Sequence, residues 1–480
     1  MDKKKSRILI ISITLLVMMI ILTLLFFYTG AAAKDPWTGI KRYRPHFNHT
    51  PVIYEKFNTP QDVTKKCLSC HEDAAADFMK TAHWLWERSN VKIPGKDGVF
   101  SIGKKNLPNN FCLGVQGNEK SCNSCHAGYG WKDATYDFNK SENVDCLVCH
   151  DWSGTYSKGA YGMPNQNVDL LAAARSVGYP KLQNCGLCHN YGGGGMGVKH
   201  GDLDESLLNA YADIDIHMSQ NILCIDCHKT EKHNIRGTAY SVSVDHRNGI
   251  SCTDCHDENP HKDTRINSHV DSVACQTCHI PRFARKAATK IFWDWSKAGN
   301  SSRKDDPHTY LKIKGEFVYG KDLVPEYSWF NMTIRRYMWN DKLDPSKVTL
   351  INPPNGDIRD KSAKIWPFKV HRAVQPYDKK FDYLLQPVTS GDGGYWSEFN
   401  WDKSFRLSEK ISGIKYSGSY GFTRTDMFWP LSHMVAPGDK ALRCNDCHGP
   451  VSRMNWNALG YPDDPIDSGG REKVSAGGAQ

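Results

Sequence analysis

The fold class predicted for these 480 residues is mainly short α-helices and irregular loops with little β-structure, wrapped around covalently held prosthetic groups and led by one N-terminal transmembrane helix. Three observations predict it. Sixteen of the 17 cysteines fall into Cys-x-x-Cys pairs, and each pair is followed at once by a histidine. Seven of those motifs crowd between Cys67 and His279, at about 30 residues apiece, too few for any one segment to bury an apolar core of its own. An unbroken apolar run from Ile8 to Tyr28 follows Lys3, Lys4, Lys5 and Arg7.

The pairs are Cys67/Cys70, Cys122/Cys125, Cys146/Cys149, Cys185/Cys188, Cys224/Cys227, Cys252/Cys255, Cys275/Cys278 and Cys444/Cys447. The histidines that follow them are His71, His126, His150, His189, His228, His256, His279 and His448. With 20 histidines in 480 residues, eight such placements by chance have odds of roughly one in 10¹¹. That decides against disulfide or zinc frameworks and for c-type haem. Two thiols at this spacing reach the two vinyl groups of one porphyrin, and the next side chain becomes the proximal iron ligand. The expected cofactors are eight covalent haem c groups. The porphyrins are expected to be the core, with the chain wrapped around them in short helices and loops. Eight ferric haems, each with two propionates, would bring about −8 in total against the formal +9, so the basic balance is no nucleic-acid signal.

Residues 1–7 read as cytoplasmic and 8–28 as a signal anchor, with Ala31-Ala32-Ala33 leaving a cleaved signal peptide as the second reading. In both cases the haem-bearing part is exported to the periplasmic or extracellular side. Residues 29–59 are expected as a tether, 60–290 as a seven-haem core and 291–463 as an aromatic-rich part carrying the eighth motif. Residues 464–480 are expected as a disordered Gly/Ser-rich tail. Helical spacing of Ala75, Met79, Ala82 and Trp86 predicts a helix over 72–90. Cap residues predict others over 169–177 and 204–212.

Twelve histidines lie outside the motifs, and electron-transfer haems normally close their sixth position. His46, His49 and His308 sit in polar, loop-like sequence and rank lowest among them.

Several runs of this chain resemble the octahaem cytochromes of the tetrathionate reductase family. They include Cys67-Leu-Ser-Cys-His71 followed by Thr81-Ala-His83-Trp84, Asn110-Phe-Cys112, Val115-Gln-Gly-Asn118 and Gly128-Tyr-Gly-Trp-Lys132. Asp145-Cys-Leu-Val-Cys-His150, Gly192 to Gly195 with Val198-Lys199-His200, Ala274 to Arg282 and Tyr416-Ser-Gly418 belong to the same pattern. The likeness extends from about residue 57 to 462. It implies that one haem, on Cys122/Cys125 with His126, carries a distal lysine, and that the lysine is Lys199. Lys199 follows a four-glycine run, and a chain without Cβ atoms can pass close to a porphyrin face. Seven haems then need seven distal histidines, expected as His83, His217, His233, His261, His269, His371 and His433.

Cys112 is the one cysteine outside the motifs, ten residues before Cys122. A thiol beside a lysine-ligated haem suits attack on a sulfur–sulfur bond. The expected activity is therefore reduction of a small oxyanion, tetrathionate to thiosulfate first, with nitrite or hydroxylamine also open. Lys199 and Cys112 are the expected catalytic residues, and Asp213 or Asp215 is a proton source or a partner of Lys199. Expected partners are the membrane, through the N-terminal helix, and a redox donor such as a quinol dehydrogenase or small cytochrome. The rival reading is a non-catalytic conduit from the membrane to outside acceptors. A hydroxylamine oxidoreductase-like octahaem enzyme is a third, and the motif spacing fits it less well.

Overall fold

A computed structural model describes residues 11–21, 44, 47–112 and 114–473. The chain forms two units, residues 1–41 with 251–268, and residues 42–250 with 269–480. In the first unit, residues 11–21 are an exposed helix. Among the described residues no helix is long and apolar enough to cross a membrane. The transmembrane helix expected over 8–28 is corrected on that ground; residues 1–10 and 22–43 lie outside the described residues. The same unit holds Cys252–Asp254, a single 3-10 turn opened by a capping box between Ser251 and Asp254.

In the second unit the motifs ride on short helices. Helix α1, Pro60–Leu68, begins at Thr59, which exchanges hydrogen bonds with Asp62, and carries Cys67. The helix expected over 72–90 breaks into α2, Ala74–Phe78, and α3, Ala82–Leu85. Trp86 is left-handed at φ 52°, and Arg88–Val91 then pairs as a strand with Phe100–Ile102. Helix α4, Leu170–Arg175, falls inside the expected 169–177, with the Asp169 carboxylate accepting from the amides of Leu171 and Ala172. Helix α5, Leu182–His189, carries the fourth motif. The segment expected as helix over 204–212 is a 3-10 turn, Glu205–Asn209.

Little β-structure is the second expectation to be corrected. Eight strands form one mixed sheet: β1 Thr289–Asp294, β2 Tyr310–Leu311, β3 Gly315–Gly320, β4 Glu326–Phe330, β5 Thr349–Leu350, β6 Lys364–Asp378, β7 Tyr383–Leu384 and β8 Tyr420–Pro430. Their order is β2-β3-β1-β6-β8-β5, with β4 and β7 also pairing β6. The pairs β6–β1 and β8–β5 are parallel, and β6–β8 is antiparallel with His371 opposite Met427 and Lys369 opposite Trp429. Strand β6 is buried on both faces from Ile365 to His371 and contains Pro367 and Pro376. It therefore lacks the alternation by which a half-buried strand is read.

The aromatics of this part build a core of their own. Trp293 stacks on Trp295 at 4.3 Å and Tyr395 on Trp401 at 3.7 Å, and Phe405 stacks 5.5 Å from Trp401. Trp401, Ser404, Phe405 and Ser408 are the inner face of helix α6, Trp401–Ser412, which ends at Gly413 with φ 75°. The tail is tied in as far as it is described. Asp464 caps a turn at Pro465–Ser468 and binds His448, while Arg471 donates to the carbonyls of Ile358 and Ala363.

Phe405→Ala should cost about 3–5 kcal/mol, because it empties a fully buried aromatic site; denaturant unfolding of the haem-loaded protein checks this.

Candidate functional site

The sheet gathers the two segments that carry Cys112 and Lys199. Residues 108–112 lie across one of its faces. Arg336 donates to the Pro108 carbonyl (2.9 Å) and Gln375 to that of Asn109 (2.8 Å). The Asn110 amide donates to the carbonyls of His371 (2.7 Å) and Thr425 (3.1 Å). Lys290 Nζ, from β1, donates to the Phe111 carbonyl at 3.0 Å and sits 3.4 Å over the Trp293 ring. Cys112 is half-buried against the aromatic cluster of Trp293 and Ala373.

The glycine loop is seated by the neighbouring strand. Lys369 Nζ, fully buried on β6, donates to the carbonyls of Val198 (3.3 Å) and Lys199 (3.2 Å) and to Thr289 Oγ1 (2.6 Å). Gly193, at φ 86°, comes so close to the ring of Phe111 that a Cβ there would lie 2.9 Å from it. The glycine run thus approaches the Cys112 segment itself. Lys199 Nζ stands 5.8 Å from the Trp429 ring centroid. Burial above all, then the charge of Lys104, pulls its amine down to about 8, against an opposite pull from Cys125 and Cys188. An amine lowered this far has neutral form available near neutrality, as binding to iron requires. Burial also holds Lys290 well below its ordinary value; of its charged neighbours Cys112 opposes this, while Lys314 and Lys369 add to it. The charged side chains that act most on Lys199 and Lys290 include Lys104, Lys314 and Lys369, so cations gather at this corner.

Asp213 and Asp215 lie elsewhere. Asp215 accepts from the backbone of His217, Met218 and Val435, and Asp213 is exposed. The buried carboxylate near Lys199 is Asp202, which accepts from Ser432 N (2.8 Å) and His433 N (3.1 Å), with His433 Nδ1 at 3.3 Å and His200 Nδ1 at 3.9 Å. Burial pushes its carboxyl up, but His433, His200 and the Ser432 amide together bring it below the ordinary carboxylate value.

Four pairs of histidines stand at a telling distance. Ring centroids are 6.5 Å apart for His49 and His71, 6.3 Å for His83 and His189, 6.3 Å for His228 and His433, and 6.4 Å for His269 and His448. Metal–imidazole bonds of about 2.0 Å on both sides of one iron place the rings roughly 6.3 Å apart. In each pair one member belongs to a motif, so these residues fit a bis-histidine haem. His233 lies within electrostatic reach of His150. His49 is the ligand candidate that sequence reading set aside; its polar context concealed a position fixed by a turn with Val52 and Ile53. No motif histidine stands at this spacing from His371 among the described residues. His371 is fully buried, with Nδ1 on Asn110 Oδ1 at 3.1 Å. Its Nε2 is buried without a partner, and the charges that act on the ring are Lys290 and Lys369, so it belongs to the sheet-face corner. His217 faces Asp215, and His261 binds Asn267.

His126 differs from the other motif histidines. His150, His228 and His448 anchor Nδ1 on Gly178 O, Arg236 O and the Asp464 carboxylate, which leaves Nε2 for iron. In His126 it is Nε2 that donates to the Trp84 carbonyl, at 2.7 Å, and the buried Nδ1 has no partner. Trp84, Trp86, Trp131, Tyr136 and Phe138 enclose the ring. Burial holds it neutral, with its pKa down to about 3.

The motif thiols touch in a line. Cys67 pairs with Cys146, Cys185 with Cys224 and Cys125 with Cys188, while Cys278 lies beside Cys447. Groups attached there would adjoin one another, which suits electron transfer.

Four thioether positions stand at the surface. Cys70, Cys227, Cys255 and Cys444 are exposed, whereas the other motif thiols are half-buried. The reason is local. Cys70 lies just past the end of α1, and Cys227 is the last residue of the single turn Cys224–Cys227. Cys255 closes the 3-10 turn Cys252–Asp254, and Cys444 opens the turn Cys444–Cys447. Residues at the ends of such short turns have little chain packed over them. A thioether requires reach to a vinyl group rather than burial, so exposure leaves the attachment chemistry of these four intact.

Residues 290–451 match the family model described as bacterial cytochrome c. The crystal structure of an octahaem cytochrome c from Shewanella oneidensis is 47% identical, with a TM-score of 0.83; the match covers 88% of this chain and 98% of that one. An uncharacterised protein of Archaeoglobus fulgidus is 27% identical, over 39% of this chain and 79% of its own.

Because the folded state disfavours the charged form of Lys290, the unfolded chain binds more protons as pH falls below about 10.5. This residue therefore makes stability rise with pH up to that value. Lys290→Met should flatten that part of the slope in unfolding titrations of the holoprotein between neutral and alkaline pH.

Proposed function

Since this chain belongs to the octahaem cytochromes c, we propose that it is an exported reductase of a small oxyanion, tetrathionate before nitrite or hydroxylamine, with eight haem c groups. A member of this family binds haem c covalently and carries electrons. The observation that supports the finer reading is that Cys125 acts on the Lys199 amine and Cys112 on the Cys122 thiol.

In this reading Lys199 and His126 would hold the haem at Cys122/Cys125 from its two sides. The seven remaining distal ligands are His49, His83, His217, His233, His261, His269 and His433. Haem c, when bound, supplies electrons one at a time. The lysine-rich corner holds the tetrathionate dianion. The Cys112 thiolate attacks one of its central sulfurs, forming a cysteine–thiosulfate disulfide as the central S–S bond breaks and thiosulfate leaves. Two electrons then cleave the new S–S bond, returning the thiolate and a second thiosulfate. No net proton is consumed, so the scheme needs neither Asp213 nor Asp215. The electrons come from a partner such as a quinol dehydrogenase or small cytochrome.

Anaerobic mixing of the fully reduced holoprotein with tetrathionate, nitrite and hydroxylamine in parallel tests this. Rapid reoxidation by tetrathionate, with two thiosulfates formed per molecule, is expected. Cys112→Ala should slow it by at least about tenfold. Absence of reoxidation by all three would leave the conduit reading in its place.

A further inference from the structure

Asp145 stands directly before Cys146, and its side chain is wholly buried. Lys158 Nζ, itself nearly buried, lies 2.7 Å away. The carboxylate also accepts from Tyr129 (3.0 Å), from Tyr156 (2.9 Å to each oxygen) and from Val148 N (3.0 Å). Burial first, and the charge of Asp145 second, hold both phenols well above their ordinary value, so they remain donors. Lys158 Nζ further donates to the carbonyl of His126 and, at 3.3 Å, to that of Gly128.

One buried ion pair thus joins two haem motifs that are neighbours in sequence. Its ends are not equivalent. Asp145 is built into the turn that carries Cys146 and Cys149, and Lys158 grips the backbone of His126. Among the groups that act most strongly on His126, Lys158 is present and Asp145 is not. At Cys149 the influence of Asp145 exceeds that of Lys158. Taking both charges out of water is costly, and a hydrophobic pair would often serve packing equally well. A buried pair with one end at each motif does what a hydrophobic pair cannot: it imposes a field between them.

We infer that Asp145 and Lys158 form a fixed internal dipole that sets the direction of electron flow, from the haem on Cys146/Cys149 toward the haem on Cys122/Cys125. A positive charge near a haem favours the added electron and raises its reduction potential; a negative charge lowers it. Electrons therefore descend toward the Lys158 end. This rests on haem c at both motifs and not on the identity of the substrate.

Potentiometric titration of the holoprotein, followed by visible absorption and electron paramagnetic resonance, tests it apart from any turnover assay. Lys158→Met should shift one component to lower potential, Asp145→Asn should shift one to higher potential, and Lys158→Arg should leave the wild-type pattern. Shifts of the same sign in the Met and Asn variants, or no shift in either, would overturn the inference. Should Asp145→Asn fail to load haem, Lys158→Gln against Lys158→Arg decides: a potential that follows the charge supports the dipole, and identical potentials sink it.

Discussion

Two buried lysine side chains on adjacent strands hold the candidate site together. Lys290 on β1 binds the Phe111 carbonyl, and Lys369 on β6 binds the carbonyls of Val198 and Lys199. Burying an amine is unfavourable unless its donors are used, and both lysines use theirs on backbone acceptors that would otherwise be unsatisfied. The consequence is positional. Two loops separated by some 80 residues of sequence dock on one sheet face, with Gly193 packed on Phe111, and that contact tolerates no side chain at Gly193.

The sheet also explains how haem motifs and ordinary packing share one chain. Most motifs lie on helices of one or two turns, which are marginal by themselves. The long strand β6 and the stacked aromatics around Trp401 provide a rigid apolar body, and the segments bearing Cys112, Lys199 and His433 are fastened to it or to neighbours of it. Motif thiols then meet in pairs, Cys67 with Cys146, Cys185 with Cys224 and Cys125 with Cys188. Chain order and spatial order differ: the second motif neighbours the fourth. An electron passing between such neighbours would cross the chain rather than follow it.

How much could be read from the residues alone depended on the range of the interaction. Haem attachment was legible because its chemistry is confined to five consecutive residues. How deeply each thiol sits was not, since Cys70, Cys227 and Cys255 owe their exposure to what the rest of the chain leaves uncovered. Asp169 was legible as a cap for the same local reason as the motifs. The sheet was not, because β6 is buried on both faces and carries two prolines, so neither alternation nor composition marks it. The apolar run over 8–28 read as a spanning helix from hydropathy alone, whereas no helix among the described residues is long and apolar enough to cross a membrane. Distal ligation is a long-range pairing. His49 looked like a loop residue yet faces His71, and His371 looked like a ligand yet sits on Asn110 at the sheet face, with no motif histidine at ligand spacing. Asp215 was attractive for its place beside His217, and the same closeness commits it to backbone amides. The reversed ring of His126 has no sequence signal at all, since it is set by the Trp84 carbonyl.

The account stands on Lys199 and Cys112 meeting at the haem of the second motif. A crystal structure of the haem-loaded protein tests this most directly. The account predicts Lys199 Nζ on the iron of the Cys122/Cys125 haem, His126 on the opposite side, and Cys112 Sγ in the same pocket. A histidine in the place of Lys199, or Cys112 facing away from that haem, would contradict it.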